Sequence, residues 1–173
     1  MEEIRRSIRE ARIDDAKNLL AYLQQVGSES DNLTFDAKGV PFTEEQERVY
    51  LDLRKCSLTN ITLLAMEGEK IIGSLGVDTP SFERLSHRGE MGISVLKEYW
   101  GQGVGSALLE AMFSWIREYP TLLRKIDLTV REDNDRAIAL YKKFGFQEEG
   151  KVTRLVAIGN TFYDGISMGL LLD

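Results

Sequence analysis

Glu90-Met91-Gly92-Ile93-Ser94-Val95-Leu96-Lys97-Glu98-Tyr99-Trp100-Gly101-Gln102-Gly103-Val104-Gly105-Ser106 joins a strand-like run to a helix start through glycines at alternate positions. Glycine lets the backbone turn sharply and come close to a ligand, and the free N–H groups of a helix start then face an anion. The plain alternative is a tight loop without a ligand. Two phosphate motifs are excluded. A P-loop ends in Gly-Lys-Ser/Thr, and here Gly105 is followed directly by Ser106 with no lysine between. A dinucleotide fingerprint needs Gly-x-Gly-x-x-Gly, but Leu108 occupies the third position after Gly105. Leu122 and Leu123 stand where its acid would be.

Upstream of this stretch, Ile4 to Arg9 can form a first strand. Asp14 offers an N-cap to a helix whose Ala16, Leu19, Leu20 and Leu23 recur at helical spacing. Residues 27 to 42 read as a loop. Thr43-Glu44-Glu45-Gln46 has capping-box spacing, and Val49, Leu53 and Cys56 then share one helix face, which predicts that Cys56 packs. Two strands, Ile61 to Glu67 and Lys70 to Asp78, flank Gly68-Glu69, a Gly-first loop suited to a type II′ hairpin. Glu90 to Leu96 is a fourth strand.

Downstream, Val104 to Tyr119 is helical, with Ser106, Glu110, Ser114 and Arg117 as a narrow polar stripe on an otherwise apolar surface. Ile126, Leu128 and Val130 alternate as a fifth strand, and Ala137, Leu140, Tyr141 and Phe144 line a short helix that Gly145 can end. Phe146 to Ile158 and Thr161 to Leu172 are strands about Gly159-Asn160. The order β-α-α-β-β-β-α-β-α-β-β predicts a mixed α/β (α+β) fold. Its sheet is mostly antiparallel, of about seven strands with about four helices.

Composition narrows the function. A chain of 173 residues with 43% hydrophobic residues is expected to form a single domain, spanning 1–173. A formal charge of −6 argues against nonspecific nucleic-acid binding, which needs a basic face. The charged Met1-Glu2-Glu3-Ile4-Arg5-Arg6 lacks the apolar run of a signal peptide, and nothing later approaches membrane-spanning length. One cysteine, Cys56, fits a reducing cytoplasm, and one histidine, His87, leaves no metal site with ligand spacing.

The quoted stretch resembles motif A of the GNAT superfamily of acetyl-CoA-dependent N-acetyltransferases, whose turn runs Arg/Gln-x-x-Gly-x-Gly/Ala. Gly103, Val104 and Gly105 match its core, while Trp100 stands where Arg or Gln is usual. That departure removes one side-chain contact but keeps the backbone donors of Gln102 to Ser106. A second signature, near Asn-x-x-Ala-x-x-x-Tyr-x-x-x-Gly-Phe, appears as Asn134, Ala137, Tyr141, Gly145 and Phe146. The resemblance covers nearly the whole chain and implies a GNAT-like sheet.

It also implies a site. Acetyl-CoA would be the co-substrate, with its pyrophosphate on the turn of Gly101, Gln102, Gly103, Val104, Gly105 and Ser106. Its pantetheine arm would lie along Ile93, Ser94 and Val95. Asn134, Ala137 and Tyr141 share one helix face and span about 10 Å at roughly 1.5 Å per residue, a reach suited to the arm. Tyr141 would assist the departing sulfur, or else be a packing aromatic. Glu90 stands near where several family members place a carboxylate base; the alternative is a solvated strand residue. With Cys56 on a remote helix and His87 alone, transfer would be direct rather than through an acyl-enzyme.

The implied acceptor is a primary amine of a small molecule or peptide, with a coenzyme-A-binding module lacking transferase activity as the alternative. Gly27 to Arg48 holds Glu29, Asp31, Asp36, Glu44, Glu45 and Glu47 and could form an acidic rim for a cationic amine. Neither nucleic acid nor membrane is expected as a partner, and a homodimer is left open.

Overall fold

The computed structural model describes residues 6–118 and 122–172. The order of elements is β1 (Arg6–Glu10), α1 (Ala16–Glu29), α2 (Glu44–Lys55), β2 (Ile61–Glu67), β3 (Lys70–Asp78), β4 (Arg88–Val95), α3 (Val104–Glu118), β5 (Lys125–Arg131), α4 (Asp135–Lys143), β6 (Gln147–Ile158) and β7 (Thr161–Leu171). This is the order expected from sequence. Ile4 and Arg5 of the expected first strand, and Tyr119 of the expected third helix, lie outside the described residues.

One sheet runs β1-β2-β3-β4-β5-β7-β6. Every neighbouring pair is antiparallel except β4 with β5. Gly68 opens the β2–β3 turn at φ 61, the left-handed first position a II′ hairpin requires. Strand periodicity then sorts the side chains. Odd positions of β3 and β4 face α3, where Gly73 lies under Leu108 and Val104. Even positions face α1 and α2, where Ser94 Oγ meets the Tyr22 hydroxyl at 2.9 Å. α4 shares the α3 side through Leu140, which abuts Gly105. Leu64, Leu75, Leu108, Leu109, Met112 and Met168 are fully buried at the centre of this stack.

Three local expectations are corrected. α1 runs on through Gly27 to Glu29, so the connecting segment starts later than the sequence suggested. Asp14 is not the cap. A short 3₁₀ turn precedes α1, and Asp15 occupies the cap position while binding Arg9 at 2.7 Å.

The third correction is the larger one. Thr43 and Gln46 do form the capping box of α2, but its buried face carries Glu47, Leu51 and Arg54. Val49 and Leu53 are 56% and 73% exposed, and Cys56 is exposed with its thiol free. The reason is the sheet end beneath. Arg54, only 5% exposed, donates from Nη2 to the carbonyls of Ile61 and Val77 (2.6 Å to the latter) and from Nη1 to Asp78 and the Tyr50 hydroxyl. Open strand-end carbonyls call for a donor, so a guanidinium takes the place that apolar spacing assigned to Leu53. Burial pushes the carboxyl of neighbouring Glu47 up, and the Arg54 charge pulls it partly back.

Arg54→Met should therefore cost about 2–4 kcal/mol, because two buried carbonyls lose their donor. Leu53→Ser should stay within about 0.5 kcal/mol. Urea denaturation of both variants checks the assignment, and the reverse ranking would refute it.

Candidate active site

β4 and β5 start as a parallel pair and then part. Their register is Arg88↔Lys125, Gly89↔Ile126 and Glu90↔Asp127, and it ends there. β5 continues to Arg131 against β7 alone, while β4 continues to Val95 against β3 alone. Gly89 permits the tight start, since a Cβ there would lie 2.6 Å from Val77 Cγ1. Leu96 N–H donates to the Ile72 carbonyl at 3.0 Å, which fixes the alternation of the ladder. Ser94 therefore bonds β3, whereas Ile93 turns its N–H and C=O and Val95 its N–H into the opening, the Val95 carbonyl being taken by the Trp100 indole. An arm with amide groups could pair there as a strand does. Of the three β4 residues expected to hold the cofactor, Ile93 and Val95 border the opening. Ser94 faces away, its hydroxyl with Tyr22.

The turn after β4 is pinned from several sides. Tyr99 donates to Glu67 Oε2 at 2.5 Å, and Arg6 bridges Glu67 at 3.0 Å and Gln102 Oε1 at 2.7 Å. The Gln102 amide in turn donates to the Glu98 carbonyl at 2.6 Å. Gly101 and Gly103 hold φ of 73 and 81, and a Cβ on either would meet open space. Backbone conformation, not crowding, is what requires glycine at these two positions. Gly105 differs. It lies inside α3, and its missing side chain lets Leu140 of α4 approach, with a built Cβ 3.1 Å from Leu140 Cδ2.

The first helical bond of α3 runs from Ala107 N–H to the Gly103 carbonyl at 3.0 Å. The N–H groups of Val104, Gly105 and Ser106 thus have no helical acceptor. The first turn of α3 contains no acid, so the positive end of the helix dipole is uncompensated by the chain itself.

Trp100, the departure from the motif, has a use of its own. Its indole N–H donates to the Val95 carbonyl at 2.8 Å, locking the ring flat beside the turn. The Arg136 guanidinium lies over that ring, Cζ 3.6 Å from its centroid. Arg136 makes no ion pair among the described residues, and desolvation lowers its pKa. The turn thus has a cation supplied by α4 rather than by its own first position. Sequence reasoning missed Arg136. The available signal was an arginine inside the second signature, two residues after Asn134.

α4 brings up the remaining groups. Asn134 is its N-cap, accepting from Ala137 N–H at 3.3 Å, so its side-chain oxygen is engaged in capping. Ala137 is half-buried beside it. Tyr141 is 7% exposed and its ring stands 5.9 Å from that of Phe146. Its hydroxyl has no hydrogen-bond partner among the described residues, and burial pushes its pKa up to about 12. Glu90 lies on the opposite face of the sheet, exposed, between register partners Asp78 and Asp127. Those two carboxylates already have cations, Arg54 for Asp78 and, at 2.8 Å, Arg88 for Asp127. Glu90 has none among the described residues. Tyr141 and Glu90 thus lie on opposite faces of the sheet.

The acidic rim looks different in three dimensions. Glu29 accepts from Lys97 N–H at 2.7 Å, Asp36 from Lys38 N–H at 2.8 Å, and Glu44 pairs with Arg48 at 3.3 Å. Glu47 is on the buried face of α2. Of the six acids named, Asp36 and Glu44 are engaged within the segment, Glu29 holds the start of the turn after β4, and Glu47 is buried.

Comparison with known proteins accords with this geometry. A sequence profile described as the acetyltransferase (GNAT) family matches residues 29–146. The chain belongs to that family. The L-amino acid N-acetyltransferase AaaT of Escherichia coli K12 is 33% identical over 110 residues, 61% of this chain. The matched region spans 65% of that relative's length. A GNAT-family acetyltransferase from Streptococcus pneumoniae superposes with a TM-score of 0.93 at 36% identity, covering 97% of this chain and all of that one. The fold is also that of yncA from Salmonella typhimurium, solved with acetyl-CoA, at a TM-score of 0.82 and 18% identity over 97% of this chain and 94% of that one.

The raised Tyr141 pKa has a stability consequence of definite sign. The folded state keeps the phenol proton up to about pH 12, the unfolded chain only to about pH 10. Stability is unaffected below pH 10 and falls as pH rises between the two values. From pH 9 to 11 wild type should lose about 1.3 kcal/mol more than Tyr141→Phe by urea denaturation. Equal losses would show that the phenol is solvated.

Proposed function

We propose that this protein is an N-acetyltransferase that moves the acetyl group of acetyl-CoA directly to a primary amine of a small molecule or peptide. The parting of β4 from β5 beside a glycine turn carries the reading. It offers amide partners along one edge and an anion site at its end, the two features a pantetheine pyrophosphate needs. On this reading Ile93 and Val95 hold the arm. The N–H groups from Gly103 to Ser106 take the pyrophosphate with Arg136, the Gln102 N–H being engaged by the Tyr99 carbonyl, and Gly101 and Gly103 set the turn. Asn134 and Ala137 border the arm from α4. The curated relative AaaT, by name an L-amino acid N-acetyltransferase, supports an amine acceptor.

Acetyl-CoA supplies an activated acyl carbon, which the neutral amine attacks as the C–S bond breaks. An amine of pKa about 10.4 must first lose a proton, at about 4–5 kcal/mol at pH 7. Glu90, exposed and without a cation, receives that proton directly or through water. The Ile93 or Val95 N–H steadies the developing oxyanion. With its pKa near 12, Tyr141 does not give its proton outright to a thiolate whose acid has pKa near 8.5, a transfer uphill by about 5 kcal/mol. It acts as a hydrogen-bond donor to the departing sulfur. That free hydroxyl favours transferase over pure coenzyme-A binder, which would have no need of it. The single cysteine suits a cytoplasmic setting, and no helix among the described residues is long and apolar enough to cross a membrane.

Thiol release from acetyl-CoA against L-amino acids, spermidine and short peptides tests the activity. Tyr141→Phe should keep acetyl-CoA affinity within about twofold and lose about a hundredfold in turnover. Binding without thiol release from any amine would leave the binding-module reading instead.

Gly103→Val should abolish the thermal shift that acetyl-CoA produces, since valine strains a φ of 81 and projects into the space the pyrophosphate would take. An undiminished shift would place the phosphate elsewhere.

A further inference from the structure

On the Glu90 side the centre of the sheet is uncovered: Glu90, Gly92 and Thr129 are exposed although they lie on central strands. This floor has two walls. One is the α1–α2 segment, 30–43. It is folded onto α1, where a Cβ on Gly27 would collide with the Asp36 carbonyl, and it half-buries Leu33 and Phe35 against the core. The other is the end of the β6–β7 hairpin. β5 stops at Arg131↔Gly165, and from Tyr163 to Thr161 β7 pairs only with β6. A two-stranded ribbon is marginal in water and needs packing to hold its place.

Arg131 stands between these walls, 8% exposed at the end of β5. Its Nη1 donates to the Asp31 carbonyl at 3.0 Å, a contact across 100 residues of chain. Its Cζ lies 3.9 Å from the centroid of the Tyr163 ring. Nε and Nη2 form a fork on Asp133 at 2.9 and 2.6 Å, which fixes the plane of the guanidinium. Its own carbonyl accepts from Asn134 N–H at 3.0 Å, at the cap of the helix that carries Tyr141. An ion pair with half-exposed Asp133 would by itself be worth little. What is unusual is one buried cation joined to both walls at once.

We propose that Arg131 is a positioning residue that clasps the two walls of the acceptor cleft and so sets the affinity for the amine. The proposal rests on the transferase reading for its substrate, but not for the clasp itself. The chemistry favours arginine specifically. A planar fork can bond a carboxylate along one edge, a carbonyl from another nitrogen and a ring through its face; a lysine ammonium cannot do all three. Arg131 does not touch the turn of Gly101 to Ser106, so acetyl-CoA binding is independent of it.

Hydrogen exchange and kinetics on Arg131→Met, Arg131→Lys and Tyr163→Ala test this, with L-methionine, spermidine and an alanyl dipeptide as amine probes. Amides in 31–43 and 153–163 should exchange about tenfold faster in all three variants, with those of 101–106 unchanged. The KM for the amine that wild type turns over should rise about tenfold or more, while kcat and the KM for acetyl-CoA stay within about twofold. Arg131→Lys should not rescue. Should Arg131→Met fail to fold, Tyr163→Ala, which keeps the cation, carries the test. Unchanged exchange in either wall, rescue by lysine, or an acetyl-CoA KM that rises with that of the amine would overturn the proposal. If wild type releases no thiol with any probe, the transferase reading and the substrate role fall together, and the exchange result alone decides the clasp.

Discussion

The parting of β4 from β5 after Glu90↔Asp127 is the constraint on which the rest of the structure depends. A sheet normally satisfies every internal backbone group by pairing, and leaving a mid-sheet edge unpaired is costly unless water or a ligand takes its place. Here the cost is confined to a few residues. Gly89 and Ile126 hold the strands together at one end, and β3 and β7 each keep one strand bonded on its far side. The opening is thus a rigid wedge with fixed donors and acceptors. α3 and α4 lie on one face of the sheet, and the uncovered floor of Glu90 lies on the other.

Rigid surroundings matter because the site is assembled from short polar groups of limited reach. The glycine turn is left-handed at Gly101 and Gly103, which no local preference of a loop would hold on its own. It is held instead by Tyr99, Gln102 and Arg6 acting on the β1–β2 edge. Trp100 adds a second constraint. By bonding the Val95 carbonyl and stacking Arg136 it ties the strand, the turn and α4 into one unit. The same cation on a flexible side chain of the turn would have to be ordered each time an anion bound, at a cost in rotamer entropy. Stacked on a fixed ring, it is ordered beforehand.

Three arginines show how one side chain serves different ends according to its surroundings. Arg54 closes the carbonyl ends of β2 and β3 and is structural. Arg131 joins segments that are far apart in the chain. Arg136, exposed and without a carboxylate partner among the described residues, lies over the Trp100 ring beside the turn. For Arg54 and Arg131 the burial of the planar group is made tolerable by a ring or a carbonyl, because a guanidinium taken from water without such partners would be strongly destabilising.

The amino-acid sequence by itself determined the order of elements, the sheet class, the hairpin at Gly68-Glu69 and the glycine turn with its helix. These follow from interactions within a few residues: side-chain period, caps, and the φ that only glycine adopts freely. Through the family resemblance it also nominated Tyr141, Ile93 and Val95 as candidates. Only the tertiary structure decided which face of α2 is buried, why Ser94 turns from the opening, and that Glu29 is engaged by the Lys97 N–H. Arg131 and Arg136 likewise acquired their roles from partners brought close by sheet register and helix docking. The physical reason is the same throughout. Local periodicity ranks residues by polarity, but a buried backbone carbonyl left by a strand end, or a flat ring presented by a distant turn, can outweigh that ranking, and neither exists until the sheet has formed.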